Sequence, residues 1–370
     1  MKQTTVVMTG GHVTPAVAVI DALKDDVSIV FFGRKYAMEG SRILSVEYRL
    51  ITGKHIRFIP LITGRLQRRM TAMTIPSLLK IPVGCIQAYL FCLRERPSLV
   101  VSFGGYVAFP VAVAAWFCRI PVITHEQTVV AGLTNRIIAR IATRICVTYP
   151  ETIDHFPQGK AVYTGLPMRE ELFRPPKKAP YILDMKYPVL YVTGGGSGAR
   201  SLNRLVFPVL PSLLRRYTVI HQVGSVSREE AQKIRSQLPD AYKNRYIIET
   251  YISLPALSWV LSRAVLVLGR SGANTVMELA ALGKVAVLVP LPWSGGGEQQ
   301  ANASWLVRNG GAIILTQQEL TPHRLEQRID EAWAHITPLQ SRADVLASRI
   351  PRDGTKRVVA EIEHILHSPA

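Results

Sequence analysis

Acidic side chains are in short supply. The chain of 370 residues carries 26 Asp and Glu against 44 Lys and Arg, a formal charge of +18 at pH 7. Such a balance seeks anionic partners: nucleic acid, a phosphorylated ligand or an anionic membrane face. There are four cysteines, Cys85, Cys92, Cys118 and Cys146, with no Cys-x-x-Cys pair. A disulfide framework and a zinc site are thereby excluded, and the expectation is buried free thiols in a reducing compartment. No stretch of about 20 residues is apolar without interruption, so no spanning helix is expected. The most apolar window, Met70 to Cys92, is broken by Pro76, Lys80 and Pro82. Met1 to Val6 lack a long apolar segment, and no secretory signal is expected. No G-x-x-x-x-G-K-[ST], Asp-x-Asp, G-x-S-x-G or H-E-x-x-H motif occurs. These absences exclude a P-loop, a metal–diphosphate pair, a nucleophile elbow and a zincin site.

What is present is a repeated rhythm of short β-branched run, glycine turn and helix-like segment. That rhythm predicts βαβ units, an α/β fold with parallel sheets. Strands are expected at Thr4–Met8, Ser28–Phe32, Leu99–Ser102, Pro121–Thr124 and Cys146–Thr148, with a first helix from about Pro15 capped by Thr14. Prolines cluster from Pro167 to Pro188 and suggest a crossover, after which the rhythm restarts. Strands follow at Val189–Thr193, Thr218–Gln222, Arg245–Glu249, Ala264–Leu268 and Val285–Val289, with a helix at Ala273–Leu282 and helical pattern from Thr321 to about Leu366. Two α/β halves are predicted, each opening with a strand and a glycine turn.

The turns carry the candidate chemistry. Thr9-Gly10-Gly11-His12 opens a helix, whose free N–H groups favour an anion. It could equally be a plain βα turn. Gly194 to Ala199 fits the dinucleotide pattern G-x-G-x-x-A, but no acid lies between Asp184 and Glu229 to hold a ribose. Arg34, after the second strand, leaves an NADP enzyme open as an alternative. Gly269 to Glu278 puts small residues and one acid at a helix start, and Ser294 to Ala303 joins glycines to paired amides. Between Tyr48 and His125, ten basic residues face the single acid Glu95. Apolar residues flanked by Arg and Lys suit a surface lying on anionic lipid, or an ordinary core helix with a basic rim.

In order along the chain, these segments resemble the bacterial MurG glycosyltransferase family over essentially their whole length. The motifs that carry the resemblance are Thr9-Gly10-Gly11-His12, Phe103-Gly104-Gly105-Tyr106, His125-Glu126-Gln127 and Ala131 to Arg136. They continue with Gly165 to Arg169, Gly198-Ala199-Arg200, Leu202-Asn203, Arg270 to Ala273, Glu278 and Gln299-Gln300. The chain departs from the family pattern at Val7-Met8, at Thr128 in place of an asparagine, at Gly196 in place of a serine, and at Trp293–Gly297 in place of an acidic segment.

The resemblance implies a GT-B fold, two Rossmann-like domains with parallel sheets facing across a cleft. The N-terminal acceptor and membrane domain would span 1–165 and take back the last helix, about 346–370; the donor domain would span 166–345. It implies metal-independent, inverting transfer of N-acetylglucosamine from UDP-N-acetylglucosamine to a polyprenyl-pyrophosphate-linked muramyl peptide, with no cofactor. His12 is implied as general base, with Glu126 as the competing base and His125 as a structural hydrogen-bonder. Donor contacts would come from Thr9, Gly10, Gly11, Arg169, Gly196, Ser197, Ile252, Ala273, Asn274, Thr275, Glu278, Gln299 and Gln300. Acceptor contacts would come from Gly104, Gly105, Tyr106, Thr128 and Asn135. Arg65, Arg68, Arg69 and Lys80 would meet an anionic membrane surface, and the enzyme would sit peripherally on the cytoplasmic face of the bacterial plasma membrane. A transferase with another lipid acceptor, or a catalytically weak scaffold, is the alternative. Nucleic acid is not an expected partner, because no aromatic-interleaved basic motif occurs.

Overall fold

The computed structural model describes residues 4–36, 43–64, 74–195, 198–292 and 297–368. It divides into two compact units: residues 1–168 with 351–370, and residues 169–350. The crossing from the first to the second falls after Met168 and the return after Ile350.

In chain order, unit 1 contains β1 (Thr5–Thr9), α1 (Val13–Leu23), β2 (Ser28–Gly33), α2 (Val46–Thr52), β3 (Arg57–Pro60) and α3 (Thr74–Glu95). It continues with β4 (Leu99–Ser102), α4 (Ala108–Phe117), β5 (Val122–Glu126), α5 (Leu133–Ile141), β6 (Arg144–Val147) and β7 (Ala161–Tyr163). Its seven strands are all parallel, ordered β3-β2-β1-β4-β5-β6-β7. Central strands such as β4 and β5 are buried at every residue, as a sheet covered by helices on both faces requires.

Unit 2 contains β8 (Val189–Thr193), α6 (Arg200–Arg216), β9 (Thr218–Gln222), α7 (Arg228–Gln237), α8 (Asp240–Lys243), β10 (Tyr246–Glu249) and α9 (Leu254–Arg263). Then come β11 (Ala264–Gly269), α10 (Ala273–Ala281), β12 (Ala286–Leu288), α11 (Glu298–Asn309), β13 (Ala312–Ile314), α12 (Pro322–Ala334) and α13 (Ile336–Ala347). Its six parallel strands run β10-β9-β8-β11-β12-β13, the same winding as in unit 1. The last helix, α14 (Gly354–His367), lies in unit 1. There Val358 and Ile362 join the core formed by Ile20 and Leu23, and Arg144 pairs with Glu361 at 2.8 Å.

Both sheets reverse their winding between their first and fourth strands, β1 beside β4 and β8 beside β11. Ligands of doubly wound sheets bind outside the carboxyl ends of the strands at such a switch point. The glycine turns found in the sequence follow those strands.

Several local expectations are corrected. Helix α1 starts at Val13 with His12 before it, two residues earlier than a Thr14 cap implies. Pro15 costs nothing there, because the first four helical N–H groups have no intrahelical partner. The short strands β3, β7 and β13 were not signalled, being three or four residues long and mostly half-exposed. Helix α3 runs through Pro82, which faces solvent. All four cysteines are free, but only Cys92 and Cys146 are buried; Cys85 and Cys118 lie on helix flanks that solvent partly reaches.

Candidate functional site

In unit 1 the turns after β1 and β4 are zipped together. The Phe103 N–H donates to the Thr9 carbonyl at 2.7 Å, and the Gly11 N–H donates to the Gly104 carbonyl at 2.9 Å. Gly10 has φ +147°, and a Cβ there would lie 2.8 Å from the Phe103 backbone, so only glycine closes this contact. The Thr9 hydroxyl is buried beneath the turn with no partner among the described residues. His12 follows, partly exposed, with no side-chain cap bond to α1. Gly104 packs on Asn135, whose Nδ2 would sit 2.9 Å from an added Cβ. Beside Gly105, Tyr106 lies under the Arg34 guanidinium, 5.5 Å from the ring centre. Arg34 is in turn held by the buried Glu47.

Glu126 ends β5 and is buried, yet its carboxylate is well served. One oxygen accepts from the Thr128 N–H at 3.0 Å and the Thr128 hydroxyl at 2.7 Å. The other accepts from the Gly132 N–H and from Asn135 Nδ2, both at 2.9 Å. Both carboxylate oxygens are therefore held in place by Thr128, Gly132 and Asn135. Thr128 and Asn135, expected at the acceptor, are in this structure the arms of that cradle. His125 is fully buried. Its Nε2 bonds the Gly165 carbonyl and its Nδ1 the Gln127 amide, both at 3.1 Å. Burial drives its pKa down to about 4, so the ring is a neutral structural link from β5 to the chain beyond β7. His12 is different. Burial lowers its pKa, while the nearby Glu126 charge raises it, and its ring makes no hydrogen bond among the described residues.

In unit 2 a cavity of about 240 Å³ opens at the switch point. Gly194, Gly195 and Gly198 line it from the turn after β8, Arg270, Gly272 and Thr275 from the start of α10, and Gln299 from α11. Arg270 is buried and committed to its neighbours: it donates to the Val289 carbonyl at 2.8 Å and the Ser201 hydroxyl at 2.6 Å. Gln299 is braced by the Leu291 N–H at 2.9 Å. Helix α10 has no side-chain N-cap, and its start reaches this pocket through Gly272 and Thr275. Asn274 Oδ1 is buried without a partner among the described residues. One turn further, the Glu278 carboxyl has no hydrogen-bond donor among the described residues. Burial pushes its pKa up to about 7, opposed by the charge of Arg169.

The remaining expected positions scatter. Ile252 is buried just after β10, outside the cavity lining. Gln300 is exposed. Gly196, Ser197, Arg65, Arg68 and Arg69 fall outside the described residues. Lys80 sits half-buried on α3. That helix presents Leu79, Val83, Ile86, Leu90 and Leu93 to solvent, spaced three or four apart along one face. Trp116 and Phe117, at the end of α4, are exposed as well. The sequence offered Arg34 only as a partner for an NADP phosphate, with no sign that it lies over Tyr106. It also missed the buried polar pair Tyr191 and Gln222 behind Gly195; a Gln closing an apolar strand was the only available signal.

Comparison with known proteins agrees with this geometry. Residues 5–147 match the glycosyltransferase family 28 N-terminal domain and residues 189–358 its C-terminal domain. A relative from Desulfotalea psychrophila is 34% identical over 368 residues, covering 97% of this chain and 95% of its own. One from Treponema pallidum is 34% identical over 334 residues, covering 88% and 85%. Both are named UDP-N-acetylglucosamine–N-acetylmuramyl-(pentapeptide) pyrophosphoryl-undecaprenol N-acetylglucosamine transferase. The crystal structure of Acinetobacter baumannii MurG superposes with a TM-score of 0.73 at 28% identity, covering 97% of this chain and 99% of that one. The calicheamicin glycosyltransferase CalG4, at 14% identity and a TM-score of 0.70 with full coverage of both chains, shares the fold alone. The fold class is GT-B.

Proposed function

This chain belongs to glycosyltransferase family 28, and from that premise we propose the following reaction. N-acetylglucosamine passes from UDP-N-acetylglucosamine to the muramyl sugar of undecaprenyl-pyrophosphoryl-N-acetylmuramyl-pentapeptide, in peptidoglycan synthesis. Relatives matched over most of their length, whose names carry this activity, support it.

In this reading unit 2 takes the donor. The glycine-lined cavity receives the diphosphate, met by the uncapped amides of α10. Glu278, a carboxyl without a protein donor, takes the two ribose hydroxyls, and Gln299 and Gln300 read the sugar. Unit 1 takes the acceptor at the turn of Gly104–Tyr106 and carries His12 at the turn after β1. A muramyl hydroxyl attacks the anomeric carbon, its proton passes to His12, and UDP departs with the bonding pair from the opposite face, inverting the centre. Helix dipole and backbone N–H groups stabilise the leaving diphosphate, the part a metal plays elsewhere. Glu126 is the less accessible base, because Thr128, Gly132 and Asn135 engage both of its oxygens. Its role is to hold negative charge near His12 and to fix the loop from Thr128 to Asn135.

The acceptor's polyprenyl chain keeps it in a bilayer. Among the described residues no helix is long and apolar enough to cross a membrane. The exposed apolar stripe of α3, in the basic segment between Tyr48 and His125, is the surface that would lie on the cytoplasmic leaflet.

The deciding experiment measures transfer of labelled N-acetylglucosamine from the UDP-sugar to a short-chain lipid-linked muramyl peptide in EDTA. Transfer that persists in EDTA and collapses in His12→Ala and Glu278→Ala supports the whole scheme. Hydrolysis of the donor without transfer would leave the donor site and discard this acceptor.

A further inference from the structure

The turn after β8 is held from behind by side chains that play no part in the scheme above. Gly195 has φ +81°, a backbone conformation that favours glycine, and no side chain holds it on its Cα side, where an added Cβ would meet nothing within 4 Å. Its N–H donates to Thr193 Oγ1 at 3.1 Å. Its carbonyl accepts from the Gly198 N–H at 3.1 Å and from Gln222 Nε2 at 3.2 Å. The carbonyl is thus turned into the protein, away from the cavity that Gly195 lines. If that peptide swung round, the negative end of the C=O dipole would face the cavity and oppose an anion there.

Gln222 can serve only with its amide the right way round, since its oxygen and nitrogen occupy nearly the same shape. Tyr191 decides this. Its hydroxyl donates to Gln222 Oε1 at 2.8 Å. Both side chains are almost wholly buried, Tyr191 at 2% and Gln222 at 5% exposure, so no water competes. Burial also raises the phenol's pKa, which keeps it a donor. The pairing follows from register: Thr193 lies opposite Gln222 across β8 and β9, and Tyr191, two residues back on β8, projects on the same face.

We propose that Gln222 and Tyr191 are a positioning pair that sets the Gly195 carbonyl inward and thereby makes this cavity selective for a nucleoside diphosphate over its nucleoside. This rests on the reading of the turn as the diphosphate seat.

The test is calorimetric binding of UDP and of uridine to the full chain and to its Gln222→Leu and Tyr191→Phe variants. Loss of one buried hydrogen bond predicts that UDP binding weakens about tenfold in Gln222→Leu. Tyr191→Phe, lacking one oxygen, weakens it in the same sense. Uridine binding stays within about twofold in both, because the nucleoside does not reach Gly195. In turnover, the KM for the UDP-sugar rises while kcat moves less. Equal weakening of UDP and uridine, or unchanged UDP binding, would overturn the pairing as a diphosphate device. Should Gln222→Leu fail to fold, Tyr191→Phe carries the same comparison. A wild-type chain that binds UDP no better than uridine would instead overturn the diphosphate seat itself.

Discussion

His12 and Glu126 form an electrostatic couple in unit 1: desolvation lowers the imidazole's pKa from its ordinary value, and the carboxylate opposes part of that shift. The Thr128, Gly132 and Asn135 donors hold the carboxylate in place. The imidazole is therefore mainly neutral at pH 7 and free to accept a proton.

His12→Ala should lower kcat by at least about a hundredfold, the usual worth of a general base, with UDP binding unchanged. Glu126→Gln removes the charge that raises the His12 pKa. The acid limb of the rate profile should then move to lower pH while some activity remains. A kcat–pH profile of both variants, with thermal unfolding to track the broken cradle, decides it. An unmoved limb in Glu126→Gln would separate the two residues.

Glu278 predicts a proton release. Its pKa is raised to about 7 by burial, so near neutrality it is part protonated. Ribose hydroxyls donating to the carboxylate favour the charged form and lower that pKa. UDP binding at pH 7 should expel about half a proton, read by calorimetry in buffers of differing ionisation enthalpy. Glu278→Gln should bind UDP more weakly and release none. Without ligand the sign is the opposite of a salt bridge: a carboxyl with a raised folded-state pKa costs stability as pH rises from its ordinary value through about 7.

Two buried histidines make the fold acid-labile. His125 is lowered to about 4 and His221 to about 3, both by burial. The unfolded chain binds these protons more readily, so the stability they contribute is complete above about pH 6.5 and drains away below it. Each should account for up to roughly 3 kcal/mol between pH 6.5 and 4. Denaturant melts across that range should flatten for His221→Asn, whose neighbours Asn203 and Tyr246 can still be partnered. A melt as steep as that of the wild type would assign the acid sensitivity elsewhere.

The α3 stripe predicts a clean separation of binding from chemistry. Ile86→Glu and Leu90→Glu alter exposed side chains at 60% and 59% exposure, so the melting temperature should hold. Co-sedimentation with anionic phosphatidylglycerol vesicles should fall by about tenfold or more, since each charge replaces a buried apolar contact. Activity on a water-soluble acceptor should be unaffected, and vesicle binding that survives both changes would exclude this face.

Much of the architecture was legible because parallel strands buried on both faces write continuous apolar runs; Val189–Thr193 and Thr218–Gln222 were bounded to the residue. The edge strands β3, β7 and β13 were not, since three or four half-exposed residues leave no periodic signal. Glycine turns and single acids marked the candidate site from sequence. Their surroundings were hidden: nothing in the order of residues says that Glu126 gathers donors from Thr128, Gly132 and Asn135, or that Arg270 is spent on Val289 and Ser201.

Local composition therefore determined where strands, turns and uncapped helix starts fall, because β-branched runs and glycines act through their own backbone. Only the tertiary structure decided what each polar side chain is for. A buried group's role depends on which donors and charges the fold brings within a few ångströms, and those come from residues distant in sequence. That is why His125 became a neutral brace while the His12 ring has no hydrogen bond among the described residues, and why Gln222, which sequence reading passed over, came to lie against Gly195.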